Sequence, residues 1–221
     1  MRRAPWPAGP VLGVSLGLLI LLVGPLLLFN PAFTSVLQQR HGVADAFGVP
    51  QAEVDRVTSE MLVDIWTDGP FDAAFSGDRR LLDERERSHM SDVAGFVRIL
   101  GAIVLLAAVV AGVMLAWLRR EPRRQGRAML LAAGGIGAVA VVLALAFAVA
   151  FEPTFLLFHA IFFPPGTYLF PTDSDLITLF PEGFWFDASL AAGGTVLLAA
   201  VAVSLVGLWR WRSAERPAAQ A

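Results

Sequence analysis

Four long stretches of the chain contain no charged residue, and they dominate its hydrophobic pattern. They cover residues 11–29, 99–118, 128–151 and 188–209. About 20 consecutive apolar residues in a helix cross the roughly 30 Å of hydrocarbon in a bilayer. The pattern therefore predicts an all-α polytopic membrane protein with four transmembrane helices. The first stretch is longer than the apolar core of a signal peptide, so we expect it to remain as an uncleaved span.

The four predicted spans divide the chain into five segments. Two of these segments are outer loops, which we expect to form a small extracytoplasmic cap. The segments are residues 1–29 (N-terminal segment and first span), 30–92 (the cap), 93–151 (spans two and three with a short basic loop), 152–187 (an aromatic and proline-rich outer loop) and 188–221 (span four and a tail, of which 214–221 should be disordered).

The distribution of arginine predicts the orientation, because the chain contains no lysine. Cytoplasmic loops of membrane proteins carry an excess of basic residues. Both termini and the loop between spans two and three should therefore be cytoplasmic, in a multi-pass protein of the cell membrane. The other side holds 17 of the 19 acidic residues and all three histidines, which argues against nucleic acid as a partner and for chemistry outside the cell. The arginines that set the orientation are Arg2, Arg3, Arg119, Arg120, Arg123, Arg124, Arg127, Arg210, Arg212 and Arg216, and they should also attract anionic membrane lipids.

The cap shows three local patterns. Residues 50–67 place apolar and charged side chains on opposite faces of an amphipathic helix. Residues 71–82 predict a hairpin, and residues 81–92 predict a helix that continues into span two. The second outer loop cannot be one long helix, because it contains five prolines, and we expect it to fold along the membrane surface.

Two histidines lie a few residues outside neighbouring spans. His89 stands in ERERSHMSDV before span two, and His159 stands in FLLFHAIFF after span three. Because a short loop joins these two spans, they should be adjacent and antiparallel, with their outer ends at the same level. The sequence therefore predicts that His89 and His159 face each other across one pocket.

Other polar residues are candidates for supporting roles. Glu86, His89 and Asp92 would form one polar stripe on a helix. Arg98 interrupts the start of span two and should either snorkel outward or pair with Asp92 or Glu152. His41 has neither acidic nor aromatic residues beside it, so we expect no direct function for it.

Simpler interpretations and a metal site remain open at this point. Each histidine could be an interfacial side chain, and the aromatic residues could be membrane anchors. Glu86 and His89 have the spacing of a helical metal-binding pair, but the chain has neither an HExxH sequence nor cysteine ligands. We therefore expect no metal and no cofactor.

Three segments together resemble the lipoprotein intramolecular transacylase (Lit) family of bacterial four-span membrane proteins. They are ERERSHMSDV at residues 84–93, FHAIFFP at 158–164 and TDSDLITLFPEGFW at 172–185. The chain departs from the family pattern at residues 164–168, where the family has a more polar loop ending in tryptophan.

The resemblance implies an acyltransferase that acts on a diacylated lipoprotein. Such enzymes move the sn-2 acyl chain of a diacylglyceryl cysteine at the N-terminus of a lipoprotein to the α-amino group of the same cysteine. The product is a lyso-form lipoprotein. The resemblance makes His89 and His159 catalytic. Supporting roles would fall to Glu86, Asp92, Arg98, Tyr168 and Asp173, and the substrate pocket to Phe155, Phe158, Phe162, Phe163, Phe184 and Trp185.

The expected chemistry needs no protein nucleophile. An α-amine has a pKa near 8, so some of it is neutral, and a histidine can take its proton as it attacks the ester. The leaving glyceryl oxygen needs a proton in return, which the second histidine could supply, and the sequence does not indicate which histidine is the base. Two rival functions are a non-catalytic membrane scaffold, whose histidines would be dispensable, and a metal-dependent membrane hydrolase, which a chelator would inhibit.

Overall fold

A computed structural model describes residues 7–76 and 79–213 and is mostly helical. The predicted disordered tail and the first two arginines lie outside the described residues. The elements are α1 (Ala8–Val23), a 3₁₀ helix (Pro25–Phe29), α2 (Pro31–Arg40), α3 (Val43–Phe47), α4 (Gln51–Thr67), β1 (Ala74–Phe75), β2 (Arg79–Arg80), α5 (Glu84–Trp117), a 3₁₀ turn (Leu118–Arg120), α6 (Pro122–Val149), α7 (Phe151–Phe162), α8 (Asp175–Leu179) and α9 (Glu182–Ser213).

Three helices in the described part of the chain, namely α5, α6 and α9, are long and apolar enough to cross a membrane. The first predicted span is not one continuous α-helix, because α1 ends at Val23 after 16 residues. Pro25 explains the break, since proline has no N–H for a helical hydrogen bond and its ring clashes with the preceding turn. Gly24 also lies against Ala192, where an added Cβ would come within 2.3 Å of the carbonyl oxygen.

The third predicted span also ends earlier as a continuous helix than the sequence indicates. The α6 helix ends at Val149, and a separate helix, α7, starts at Phe151. Pro153 has no N–H to donate to the carbonyl of Val149, which stops α6, but it is tolerated in the first turn of α7. As predicted, the second loop is not one long helix, but its first part belongs to the helix α7.

The chain divides into two compact units. The first contains Met1–Gly24, Gly101–Ala144 and Ala192–Ala221. Its helices pack through small apolar residues, and a second close approach is at Gly126, where a Cβ would come within 2.5 Å of the carbonyl oxygen of Gly207. Such small residues allow helix backbones to approach closely in membrane proteins.

The second unit contains Pro25–Leu100 and Leu145–Ala191 and holds all three histidines. The predicted amphipathic helix is confirmed as α4, which buries Val54, Val57, Met61 and Ile65. The predicted hairpin is confirmed as the antiparallel pair β1 and β2, and the helical approach to span two is confirmed as the start of α5. One hydrophobic core joins α4, the hairpin, the start of α5 and α8, and so fixes the helix that carries His89.

Candidate active site around two histidines

The start of α5 is anchored by a buried carboxylate. Glu86 is 3% exposed, and its side chain accepts a hydrogen bond from the backbone N–H of Asp83, while Asp83 accepts one from the N–H of Glu86, both at 2.8 Å. This reciprocal pair is a capping box. Glu86 also accepts hydrogen bonds from the hydroxyl of Ser174 and, at 3.0 Å, from the N–H of Leu176. The carboxylate therefore joins the first turns of α5 and α8, and these bonds engage both of its oxygens.

His89 follows one turn later on α5 and is 7% exposed. Its Nδ1 atom is buried and has no hydrogen-bond partner among the described residues. The rings of Phe163 and Phe170 lie 5.2 and 5.5 Å from the imidazole, measured between centroids. An apolar enclosure of this kind disfavours the charged form of a histidine.

His159 lies on α7 and is held by its own helix. Its Nδ1 atom lies 2.8 Å from the carbonyl oxygen of Phe155. A carbonyl can only accept, so Nδ1 carries the proton of the neutral ring and the lone pair is on Nε2. The ring packs against Phe155, Phe158 and Tyr168, with centroid distances of 4.3, 5.3 and 5.3 Å.

The two imidazole rings lie close together in the second unit. Their centroids are 6.1 Å apart and the planes differ by 30°. The positions agree with the proximity predicted from the sequence. Phe163 contacts both rings, because it also lies 5.4 Å from His159.

Burial lowers the pKa of both histidines, which lie outside the predicted spans. The pKa of His89 falls to about 4, chiefly because burial penalises the cation and secondarily because His159 would repel it. Burial also lowers the pKa of His159, but the hydrogen bond to the carbonyl of Phe155 opposes this by stabilising the cation. At neutral pH His89 is therefore neutral, and His159 is the more basic of the two.

Aromatic rings extend the pocket away from the histidines. Phe158, Phe162 and Phe163 all pack against Phe96, with centroid distances between 4.9 and 6.2 Å. Trp185 contacts Phe155 at 5.7 Å and lies at the edge of the group. Phe184 is 1% exposed, packs in a core with Leu37 and Ala188, and contacts Trp185 at a centroid distance of 5.3 Å.

Arg98 forms an ion pair, which is one of its two predicted outcomes, but with a different acid from those named. Arg98 bonds to Asp68 at 2.6 Å, rather than to Asp92 or Glu152. Asp68 ends α4 in the left-handed conformation, and its side chain is 69% exposed. Exposed pairs of this kind stabilise a protein by about 1 kcal/mol or less. Asp92 is half-buried and Asp173 is exposed, and no ring contact or hydrogen bond joins either side chain to the histidines among the described residues.

His41 has an acidic partner that its sequence surroundings do not indicate. Its Nε2 atom lies 2.9 Å from a carboxylate oxygen of Asp187, to which Arg40 also bonds at 3.3 Å. Gly183 lies so close that an added Cβ would come within 2.6 Å of the imidazole. The expectation that His41 has no acidic setting is therefore wrong, although its ring is not part of the His89 and His159 group.

Sequence reasoning missed four residues at or beside the histidines. Phe96 follows His89 by seven residues, a spacing that places both on one face of α5 and could have identified it. Ser174 precedes the short helix α8 as its N-cap, a position where serine is favoured. Arg85 and Phe170 meet across the loop after α7, and no local pattern indicates that contact.

Comparison with known proteins identifies the family of the chain. The family model described as lipoprotein intramolecular transacylase Lit matches residues 11–185. No curated protein matches the sequence.

The fold also resembles crystal structures of the membrane-integral lipoprotein intramolecular transacylase Lit from Bacillus cereus. One of them is 16% identical in sequence and has a TM-score of 0.77. The match covers 94% of this chain and 96% of the chain in that structure. Two structures of the same protein with a single histidine replaced, by arginine or by alanine, are each 15% identical, with TM-scores of 0.76 and 0.77 and 92% and 94% of their own length covered. Because the family model covers most of the chain, this protein belongs to the lipoprotein intramolecular transacylase family of membrane acyltransferases.

Proposed function

We propose that this protein moves the sn-2 acyl chain of a diacylglyceryl cysteine to the α-amino group of the same N-terminal cysteine of a lipoprotein, with His159 as the base. The family supplies the reaction class. The observation that supports the assignment is the hydrogen bond from Nδ1 of His159 to Phe155, which leaves the lone pair on Nε2 of a ring whose centroid lies 6.1 Å from that of a second, neutral imidazole.

His159 performs both proton transfers in this mechanism. The α-amine attacks the carbonyl carbon of the sn-2 ester and gives a proton to Nε2 of His159. The C–O bond of the ester then breaks, and the glyceryl oxygen takes that proton from His159 as it leaves. An amide and a free hydroxyl result, and neither a protein nucleophile nor a cofactor takes part.

His89 acts as a neutral hydrogen-bond donor. With a pKa of about 4, it is not protonated at neutral pH and is a poor source of protons. Its buried Nδ1 faces no acceptor, and unpaired buried N–H groups are rare, so we place the ring proton on Nε2. The Nε2–H group donates to the oxyanion that forms on the ester carbonyl, and Tyr168 is a candidate second donor.

The aromatic pocket brings the reacting groups together. The amine and the ester belong to one molecule, so the main requirement is to fold that molecule until the two meet. Phe155, Phe158, Phe162 and Phe163 offer apolar surface for the acyl chain beside the histidines. The same surface keeps water, the competing nucleophile, away from the ester.

We further propose that the chain crosses the cell membrane four times, with both termini cytoplasmic and both histidines outside. The support is the placement of arginines at the termini and in the loop of residues 119–127. Reporter proteins fused after Glu60 or Phe170 should be active outside the cell and inactive inside. Cytoplasmic activity at either position would contradict the orientation.

The rate should depend on pH in two steps. Below the pKa of the amine, near 8, the second-order rate constant should fall about tenfold per pH unit as neutral amine is lost. Below the pKa of His159, which burial places under its ordinary 6.5, the fall should steepen to about a hundredfold per unit, because the base is protonated as well. The measurement is kcat/KM for a diacyl lipopeptide across pH. A single slope down to about pH 4 would contradict the role of His159.

Production of a model lipoprotein with and without this protein tests the proposed function. Intramolecular transfer leaves the total mass unchanged and moves one acyl chain from glycerol to nitrogen. A hydrolase would instead lower the mass by that of one acyl chain, and a scaffold would change neither the total mass nor the position of the acyl chain. Tandem mass spectrometry of the N-terminal peptide separates the three outcomes.

A further inference from the structure

The loop that follows α7 covers both histidines. Residues 163–171, here called the strap, connect α7 to the segment before α8. The strap places Phe163 against both imidazoles, Tyr168 against His159 and Phe170 against His89. A substrate with long acyl chains cannot reach the histidines from that side unless the strap moves.

A tight turn shapes the strap. Thr167 donates a backbone hydrogen bond to the carbonyl of Pro164 at 3.3 Å, and Gly166 has a φ of +83°. These are the features of a type II turn, with proline and glycine at the two central positions. The turn brings Tyr168 back toward the histidines, but its hydrogen bonds are internal and do not hold the strap to α5.

Arg85 joins the strap to α5. Its guanidinium donates a hydrogen bond to the carbonyl oxygen of Leu169 at 3.3 Å and lies 5.8 Å from the ring centroid of Phe170. Arg85 precedes His89 by one helical turn, on the same face of α5. The ring of Phe170 thus contacts both Arg85 and His89.

We propose that Arg85 is a positioning residue that clasps the strap over the two histidines, and that release of this clasp admits the lipoprotein substrate. The contacts suit a reversible clasp. Arg85 is exposed, and hydrogen bonds and cation–π contacts at exposed positions are weak enough to open and reclose. When the clasp is closed, Phe170 and Tyr168 exclude water from the imidazoles.

The motion of the strap can be measured without any substrate. The chain contains no cysteine, and the side chain of Leu169 is 56% exposed, so a nitroxide on L169C reports on the strap alone. Adding Arg85→Ala should increase the mobility of the label, while Arg85→Lys should preserve most of the restraint because lysine keeps the positive charge and can still donate a hydrogen bond. The matched control is Arg87→Ala, since the side chain of Arg87 bonds only weakly, at 3.4 Å, to the carbonyl of Asp83.

The catalytic consequence rests on the proposed function and is measured separately with the diacyl lipopeptide. Arg85→Ala should lower kcat about tenfold, equivalent to about 1.4 kcal/mol, with a smaller change in KM. The acid-side break in the pH profile should also move up toward 6.5 as water reaches His159. Arg85→Lys should restore most of kcat, and Arg87→Ala should match the unmodified protein.

Failure of this inference is distinct from failure of the proposed function. Equal label mobility in the Arg85→Ala and Arg87→Ala proteins would overturn the clasp, whatever the activity. Equal kcat and equal pH profiles in those two variants would overturn its role in positioning. Absence of acyl transfer by the unmodified protein would refute the proposed function and leave the label measurement valid. Melting temperatures of all variants identify any that fail to fold, in which case Arg85→Lys decides.

Discussion

Replacing His159 with alanine should lower the rate of acyl transfer by about 10²- to 10⁴-fold, the usual contribution of a positioned acid–base group. The amine then has no base to take its proton, and the glyceryl oxygen has no nearby acid to return it. His159→Gln should be as impaired as His159→Ala, because an amide cannot accept a proton at neutral pH. The measurement is the rate of conversion of a purified diacyl lipopeptide by each variant.

His41 provides the matched control for this substitution. It is also partly buried and hydrogen-bonded, to Asp187, but its ring does not belong to the His89 and His159 group. His41→Ala should therefore retain most of the activity, apart from any loss of stability seen on melting. Near-normal conversion by His159→Ala would return His159 to the role of an interfacial side chain.

Replacing His89 with alanine should lower the rate by about 10²- to 10³-fold, the effect of removing one donor to an oxyanion. A neutral donor can be replaced in part, so His89→Gln should recover more activity than His89→Ala. Glutamine at position 159 should give no such recovery. This contrast separates a hydrogen-bond donor at position 89 from a base at position 159.

The double variant tests whether the two histidines act together. Residues that act as a unit show strongly non-additive losses, whereas an oxyanion donor contributes separately from the base. Because the two histidines have different roles here, the losses of His89→Ala and His159→Ala should roughly multiply in the double variant. A double variant no slower than His159→Ala would show that the two imidazoles act as one unit and would contradict the division of roles.

The positions of the histidines could be predicted because they depend on strong patterns. Long charge-free stretches and a short basic loop indicate two adjacent antiparallel helices, and His89 and His159 lie toward the ends of these helices that are opposite the basic loop. The amphipathic face of α4 and the helical start of α5 are visible for the same reason, since periodicity in the sequence reports burial directly.

The other features depend on contacts that no local pattern encodes. Arg98 pairs with Asp68 because α4 ends in a left-handed residue that points its carboxylate toward α5. The helix α7 was missed because Pro153 suggests a loop, although proline is compatible with a first helical turn. Phe184 is an aromatic residue beside Trp185, which suggested a position in the pocket. Only its packing against Leu37 and Ala188 shows that it belongs to a core.

The roles of the individual histidine nitrogen atoms also cannot be predicted from the sequence. The basic atom of His159 follows from the hydrogen bond between its Nδ1 and Phe155, and the neutral state of His89 follows from burial. The sequence indicates two histidines in one pocket but does not indicate which of them carries the proton. The three-dimensional arrangement divides the two roles between them.

The central claim is that His159 moves an acyl chain within one lipopeptide molecule. The most direct test incubates purified protein, with a chelator present, with a diacyl lipopeptide whose sn-2 chain carries an isotope label. Tandem mass spectrometry then locates the label. The unmodified protein should give an unchanged total mass with the labelled chain on the α-amino nitrogen, and His159→Ala should leave the substrate unreacted. Release of the labelled chain as free fatty acid, or equal transfer by His159→Ala, would contradict the account.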